Sequence, residues 1–272
     1  MQILLIGAGN MGFALLRTWT TLNGHRFAVI ELNAPLRDRA AATGAEAFAS
    51  LGDLPDGFCA DVVVIATKPQ AVAQAAAASR PALKDGGLVV CVAAGITIDA
   101  IRAQVGDGPA IIRCMPNMPA AIGEGMIVCC ASANARPLDQ ECARTLLSAA
   151  GRVAFVDEET LMDAVTAISG SGPAYVFHLM EAFSAAGVCV GLPPKLAMML
   201  AKQTIFGAAK LALAPEVDPA VLRDQVTSPN GTTAAALSVL MDPQDGLAPL
   251  LRRAVAAAER RSRDLGAPPP AG

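Results

Sequence analysis

At 272 residues the chain can bury the core of one large domain or two ordinary ones, and 53% hydrophobic against 17% charged residues excludes an intrinsically disordered chain. The formal charge of −3 comes from 21 basic and 24 acidic residues with no Lys/Arg cluster, and aromatics make up only 4%, which excludes a nucleic-acid surface built on phosphate contacts and base stacking. The seven cysteines are odd in number and form no CxxC, and the two histidines, His25 and His178, lack neighbours at metal-ligand spacing, so reduced thiols in a cytoplasmic protein and no metal are expected.

Residues 1–16 carry no charge, but no Lys or Arg precedes this stretch, and Gly7, Gly9, Asn10 and Gly12 interrupt it, so it does not read as a signal peptide. No later stretch offers the ~20 apolar residues of a membrane span without charges or Gly/Pro breaks. A soluble protein with no membrane partner is expected, its alanine-rich apolar excess suiting closely packed helices.

Short apolar runs recur through the first half, at 2–6, 27–31, 61–66, 88–92, 110–113, 126–130 and 153–156. Helical stretches fall between them, among them one opening at Asn10 and others at 70–79 and 138–149. The run at 61–66 is apolar after its first residue, as a parallel strand covered on both faces requires. This alternation predicts an α/β fold with a Rossmann-type doubly wound parallel sheet. Beyond Asp157 the strand signal stops, and helices are expected at 158–168, 173–190, 194–213, 219–226, 232–241 and 247–263, most opened by Pro in the first turn or by an Asp or Ser cap. The organisation is therefore a dinucleotide-binding domain over 1–157 and an all-helical domain over 158–272, ending in an unstructured tail at 267–272.

Gly7, Ala8, Gly9, Asn10, Met11 and Gly12 form a G-x-G-x-x-G at the end of the first strand and the start of a helix. In that context the first glycine permits the tight turn, the second lets backbone amides approach a pyrophosphate, and the third lets helix and strand pack closely. Glu31 ends the second strand nineteen positions after Gly12, where a carboxylate binds the ribose hydroxyls of NAD and repels the 2′-phosphate of NADP. Asn33, Arg37 and Arg39 follow at once and suit that phosphate instead, so NADH and NADPH both stay open.

Three further loops follow strands. Ala66, Thr67, Lys68 and Pro69 come after the 61–66 run, Ala93, Ala94 and Gly95 after the next, and Arg113 to Pro119 after another, with Asn117 offering an amide to a carboxamide. Each alone also reads as a plain turn; all lie at carboxyl ends of strands, where open α/β sheets bind ligands, and together they describe one crevice.

In the second half, Ser169-Gly170-Ser171-Gly172-Pro173-Ala174-Tyr175 reads either as a close-packed helix start, with Ser171 as cap and Pro173 just inside, or as a substrate contact. Ser228-Pro229-Asn230-Gly231-Thr232-Thr233 runs straight into an alanine-rich helix. Free amides of Gly231, Thr232 and Thr233 would form an anion nest for a carboxylate, with the Ser228 and Thr233 hydroxyls beside it; an ordinary Thr-capped helix is the alternative. No Ser-His-Asp set is present and no His lies near this turn. A ketone reductase wants an acid to protonate the developing oxyanion, whereas an iminium already carries its charge, so the missing acid favours C=N over C=O reduction.

The segments GAGNMG, ATKPQ, VAAGI, RCMPNMPA followed by GEGM, SGSGPAY and VTSPNGTTAAAL occur in this order over roughly residues 1–263, and together they resemble the pyrroline-5-carboxylate reductase family. The resemblance implies reduction of the small molecule 1-pyrroline-5-carboxylate to L-proline, the last step of proline biosynthesis, with hydride passing from NADPH or NADH to the C=N carbon. It also implies a homo-oligomer built from dimers through the helical domain, with active sites formed across two subunits. It places Gly7 to Gly12 on the pyrophosphate, Ala66 to Pro69 and Ala93 to Gly95 along the cofactor, Asn117 near the nicotinamide, and Gln225 touching the cofactor from the partner subunit. Thr232 and Thr233 amides take the substrate carboxylate, the Thr233 hydroxyl serves as the catalytic contact to the ring nitrogen, and Glu159 and Glu216 match acidic positions near the proline site. Two positions depart: Asn230 stands where the family has glycine, and Met118 where it has threonine. A β-hydroxyacid dehydrogenase would need a lysine one turn beyond the SGSGP stretch, where Tyr175 and Val176 stand, and a non-catalytic NAD(P)-binding protein would fit a degraded nest, which Gly231, Thr232 and Thr233 argue against.

Overall fold

The computed structural model describes residues 1–20, 22–213 and 218–266, so Glu216 and the tail at 267–272 lie outside the described residues. The chain forms two compact units: Met1–Ser171 together with the chain from Ala258 on, and Gly172–Ala257. The first unit thus runs past residue 157. It does so because the helical segment after Asp157 buries Met162 and Ala167, and because Ser262 donates to Asp163 at 2.6 Å.

The first unit is built on one eight-stranded sheet, β1 (Gln2–Ile6), β2 (Arg26–Ile30), β3 (Glu46–Phe48), β4 (Ala60–Ile65), β5 (Leu83–Cys91), β6 (Ala110–Met115), β7 (Gly125–Ala131) and β8 (Gly151–Val156), in the order β3-β2-β1-β4-β5-β6-β7-β8. The first six strands are parallel, as the alternating pattern predicts. The expected all-parallel sheet needs one correction: β7 is antiparallel to β6, and β8 runs parallel to β7. The cause is the connection at 116–124, which is shorter than the dozen or so residues a parallel crossover needs. β3 escapes the sequence pattern because three residues, none of them buried, carry no periodicity.

Five helices cover the sheet: α1 (Asn10–Trp19), α2 (Ala34–Ala41), α3 (Val72–Ser79), α4 (Ile98–Val105) and α5 (Pro137–Ser148). Alternate strand residues serve two cores. Ile3, Leu5, Val62 and Val64 face Leu15, Leu16 and Trp19 of α1 and Leu146 and Leu147 of α5. Leu4, Ile6, Val63 and Ile65 face Val72 and Ala76 of α3 and Ile98 and Ile101 of α4. Because both faces are covered, the central strands are nearly continuous apolar runs, at ~1.5–3 kcal/mol for each large side chain fully buried. Trp19 is wholly buried, and its indole Nε1 donates to the Leu146 carbonyl at 2.7 Å, so the sole tryptophan brings no unsatisfied donor into the core.

After β8 the chain forms α6 (Met162–Val165), which passes directly into a single turn of π-helix at Thr166–Gly170. The second unit holds α7 (Gly172–Cys189), α8 (Pro194–Ala212), α9 (Pro219–Gln225), α10 (Thr232–Leu240) and the start of α11 (Leu247–Gly266), whose last turns belong to the first unit. All six expected C-terminal segments are helical, the first divided into the 3-10, α and π pieces at 159–170. Pro194 and Pro219 open α8 and α9, and Asp218 caps α9 by accepting from Ala220 N–H at 2.7 Å. α7 and α8 bury only Ser184, Ala197 and Ala201, leaving Phe177, Phe183, Leu200 and Phe206 exposed on the isolated chain. No helix among the described residues is long and apolar enough to cross a membrane.

Candidate functional site

The glycine-rich turn has the shape its sequence requires. Gly7 takes φ +94°, and a Cβ placed on it would lie 2.8 Å from the Ala66 carbonyl oxygen. A Cβ on Gly12 would fall 2.0 Å from the Gly7 carbonyl oxygen and 3.1 Å from the Ala66 side chain, so β1, β4 and α1 meet only because these positions are bare. At Gly9 the opposite holds: a Cβ would meet nothing within 4 Å. Gly9 is the N-cap of α1, with no side-chain cap and no acidic residue in the first turn. The turn is therefore closed on its protein side and open over an uncapped helix N-terminus, the arrangement that receives a pyrophosphate. Ala8, Asn10 and Met11 complete it.

At the end of β2, Glu31 leans over this turn. Its Oε2 accepts from the Ala8 N–H at 2.7 Å and its Oε1 from the Asn33 N–H at 2.8 Å. The Asn33 side chain caps α2, its Oδ1 accepting from Leu36 N–H at 3.2 Å. Arg37 donates to the carbonyls of Glu31 at 3.0 Å and Leu32 at 3.4 Å. Arg39 donates to the Ala8 carbonyl at 2.8 Å with its guanidinium 3.9 Å over the Phe13 ring.

The other segments expected to line a crevice follow the carboxyl ends of β4, β5 and β6. Thr67 follows β4 with its hydroxyl buried and unpartnered, an orphan polar atom that suits a cofactor, while Lys68 and Pro69 are exposed beside it. After β5, Ala93 is buried, Ala94 is exposed, and Gly95 turns with φ +75° against Leu265 of α11. Asn117, expected near a nicotinamide, is tied down on both ends of its amide: Oδ1 accepts from Met126 N–H at 2.9 Å and Nδ2 donates to the Ser169 carbonyl at 3.1 Å. It joins β7 to the π-helical turn, leaving one N–H for a ligand. Met118 lies next to it, exposed. The Ser169 hydroxyl, in the stretch read as a helix start or a substrate contact, is buried and unpartnered on that turn, a type of helix defect frequent at functional sites.

Glu159, expected near the proline site, is bound within the first unit. Its Oε1 accepts from Arg113 Nη1 at 2.9 Å and from the Ile98 N–H at the start of α4 at 2.8 Å. Arg113 is buried within β6, and this carboxylate is its counter-ion. Glu159 thus bridges β6, the loop carrying Ala93 to Gly95, and the chain leaving β8. A lone arginine closing an apolar strand was the sequence signal for such a partner, but not for which acid supplies it.

In the second unit, Asn230 has φ +58°, the one positive φ at a non-glycine residue among the described residues, so asparagine takes the glycine conformation here. The proposed nest needs a correction: the Gly231 N–H is not free but donates to the Ser228 carbonyl at 3.0 Å, closing a tight turn. That leaves Thr232 and Thr233, the first two residues of α10, as amide donors. The N-cap of α10 is Gly231 with no side-chain cap, so the Thr-capped alternative is not what forms. Ser228 is exposed, Thr233 half-buried, and Gln225 exposed at the end of α9. Ser171 is likewise no cap: its backbone is helical and its N–H bonds to Thr166 O at 2.8 Å.

Residues 159–265 match the family described as pyrroline-5-carboxylate reductase dimerisation, and residues 2–95 match NADP oxidoreductase coenzyme F420-dependent. A pyrroline-5-carboxylate reductase of Pseudomonas aeruginosa is 41% identical over 266 residues, covering 97% of this chain and 96% of that protein. Pyrroline-5-carboxylate reductase 2 of Pongo abelii is 35% identical over 97% of this chain and 84% of its own length. A pyrroline-5-carboxylate reductase structure from Coxiella burnetii superposes with a TM-score of 0.89 at 32% identity, covering 98% of both chains. The Plasmodium falciparum pyrroline carboxylate reductase, solved with NADP bound, gives 0.82 at 27% identity over 98% of both chains.

Proposed function

Since the chain belongs to the pyrroline-5-carboxylate reductase family, we propose that it reduces 1-pyrroline-5-carboxylate to L-proline with NADPH or NADH. The observation that carries the substrate assignment is the uncapped start of α10, where Thr232 and Thr233 present amides with no side chain competing for them. Those amides hold the substrate carboxylate, supported by the positive end of the α10 dipole. The tether from Gly231 to Ser228 fixes their direction, so no reorganisation is needed when the anion arrives. The Thr233 hydroxyl accepts from the N–H of the protonated ring nitrogen and orients the C=N bond. No acidic residue stands in the first turn of α10, which suits a protonated imine that needs no acid from the protein.

The reduced nicotinamide supplies the hydride that adds to the imine carbon. The first unit's residues hold it: the Gly7 to Gly12 turn takes the pyrophosphate, Thr67 to Pro69 and Ala93 to Gly95 line the crevice, and Asn117 keeps β7 and the π-helical turn in place beside it. The exposed aromatic faces of α7 and α8 pair copies of the chain into a homo-oligomer, and a cytoplasmic location goes with the odd cysteine count.

The test is a coupled measurement on purified protein: oxidation of NADH and NADPH in the presence of 1-pyrroline-5-carboxylate, with proline identified as product. Thr233→Val then lowers kcat/KM by about 10- to 100-fold, a loss of ~1–3 kcal/mol, without changing cofactor affinity. A variant with wild-type kcat/KM removes Thr233 from the reaction.

A further inference from the structure

We propose that Glu31 makes this chain selective for NADH over NADPH, a reading that rests on the assignment of the Gly7 to Gly12 turn as the cofactor site. The carboxylate sits at the lip of that turn, held by the Ala8 N–H at 2.7 Å and the Asn33 N–H at 2.8 Å. Both bonds are to backbone amides, so they fix its position without neutralising it, and no ion pair reaches Glu31 among the described residues. Each oxygen keeps a lone pair, and a vicinal diol is the group that offers two donors to one carboxylate.

The cations that a 2′-phosphate would need are present in sequence, and each commits part of its guanidinium to a backbone carbonyl. Arg37 turns back onto the carbonyls of Glu31 and Leu32 at 3.0 and 3.4 Å. Arg39 is held from two sides, by the Ala8 carbonyl at 2.8 Å and by stacking 3.9 Å over Phe13, with its Nε buried and unpartnered. Asn33 uses its side-chain oxygen to cap α2. A phosphate placed against Glu31 meets a carboxylate that no ion pair compensates, and like charges face to face in a binding site carry a penalty of several kcal/mol. A diol meets an acceptor already aimed by two hydrogen bonds. The family itself does not require this outcome, since the Plasmodium falciparum relative was solved with NADP bound.

The experiment measures affinity rather than turnover: equilibrium titration of the purified chain with NADH and with NADPH, read by fluorescence of the bound reduced nicotinamide, without imine. NADH binds about tenfold or more tightly than NADPH to the wild type. Glu31→Gln, which keeps the shape and the acceptor for Ala8 but loses the charge, narrows that ratio chiefly by strengthening NADPH. Equal or tighter binding of NADPH to the wild type overturns the proposal without any variant, and so does an unchanged ratio in a folded Glu31→Gln. Proline formation is assayed separately, so an NADH-selective protein that makes no proline would sink the reductase reading and leave the selectivity standing.

Discussion

Glu159→Ala separates two roles for one carboxylate, substrate contact or counter-ion. Arg113 has a side chain only 8% exposed, with Glu159 2.9 Å away and itself 28% exposed. Removing one member of such a buried pair leaves an uncompensated charge and costs about 3–5 kcal/mol. Water reaches the Glu159 side, which brings the expectation to the lower end, about 3 kcal/mol, including the acceptor lost to Ile98 N–H. For a unit of this size each kcal/mol lowers Tm by about 2–4 °C, giving a drop of about 6–12 °C. Thermal unfolding followed by circular dichroism at fixed protein concentration reads it, since assembly otherwise shifts Tm. The double variant Arg113→Met, Glu159→Leu recovers most of the loss, because an apolar pair replaces an ionic one at little cost. The KM for the imine stays at the wild-type value in the folded fraction. A Glu159→Ala protein that melts like wild type while its imine KM rises tenfold would refute the counter-ion role and return the carboxylate to the substrate.

Two glycines of the phosphate turn give opposite signatures. Gly12→Ala places a methyl 2.0 Å from the Gly7 carbonyl oxygen and destabilises the unit by about 1–3 kcal/mol, whereas Gly9→Ala melts like wild type and loses cofactor affinity, as paired melting and fluorescence titrations will tell. The Asp61 carboxyl is held below the usual carboxylate range by the Gln2 N–H at 2.9 Å and by Lys84 at 3.3 Å, outweighing the upward pull of burial. Its stabilising effect is therefore present above the ordinary value of about 3.9 and lost as pH falls through the depressed one. Asp61→Asn accordingly lowers Tm at pH 7 and converges with wild type in acid; a constant offset at all pH values would contradict this. Burial pushes the Cys91 thiol up to about 11, and Cys114 lies well above its ordinary value through burial and the Cys129 thiol 3.3 Å away. At pH 8 both stay protonated, so a thiol reagent labels exposed Cys59 and spares Cys91 and Cys114 in the folded protein, checked by peptide mass spectrometry.

Strand positions were legible because burial on two faces calls for nearly continuous apolar runs, so a stretch such as 61–66, apolar after its first residue, announces itself without any partner being known. The reversal at β7 was not, since Met126 to Cys130 reads the same in either direction and only the short 116–124 connection decides it. α2 and α4 passed unannounced in a sequence reading that looked for apolar stripes, although Asn33 and Thr97 both cap them through side-chain acceptors. The glycine turn and the start of α10 were legible for a different reason: glycine, and asparagine standing in for it, mark backbone geometry directly. What sequence could not assign was which hydrogen bonds such a turn satisfies internally, and the Gly231 amide is one that it does.

The two glutamates make the same point about side chains. Glu31 and Glu159 were both read as ligand contacts, and residue type alone treats them alike. What divides them is charge compensation. Glu159 meets a buried guanidinium brought from 46 positions away in sequence, and its negative charge is consumed there. Glu31 meets only amides, and Arg37 and Arg39 after it donate to carbonyls, so no ion pair takes up its charge. A carboxylate held by neutral donors is positioned without being neutralised, and that is the condition under which it discriminates between a diol and a phosphate.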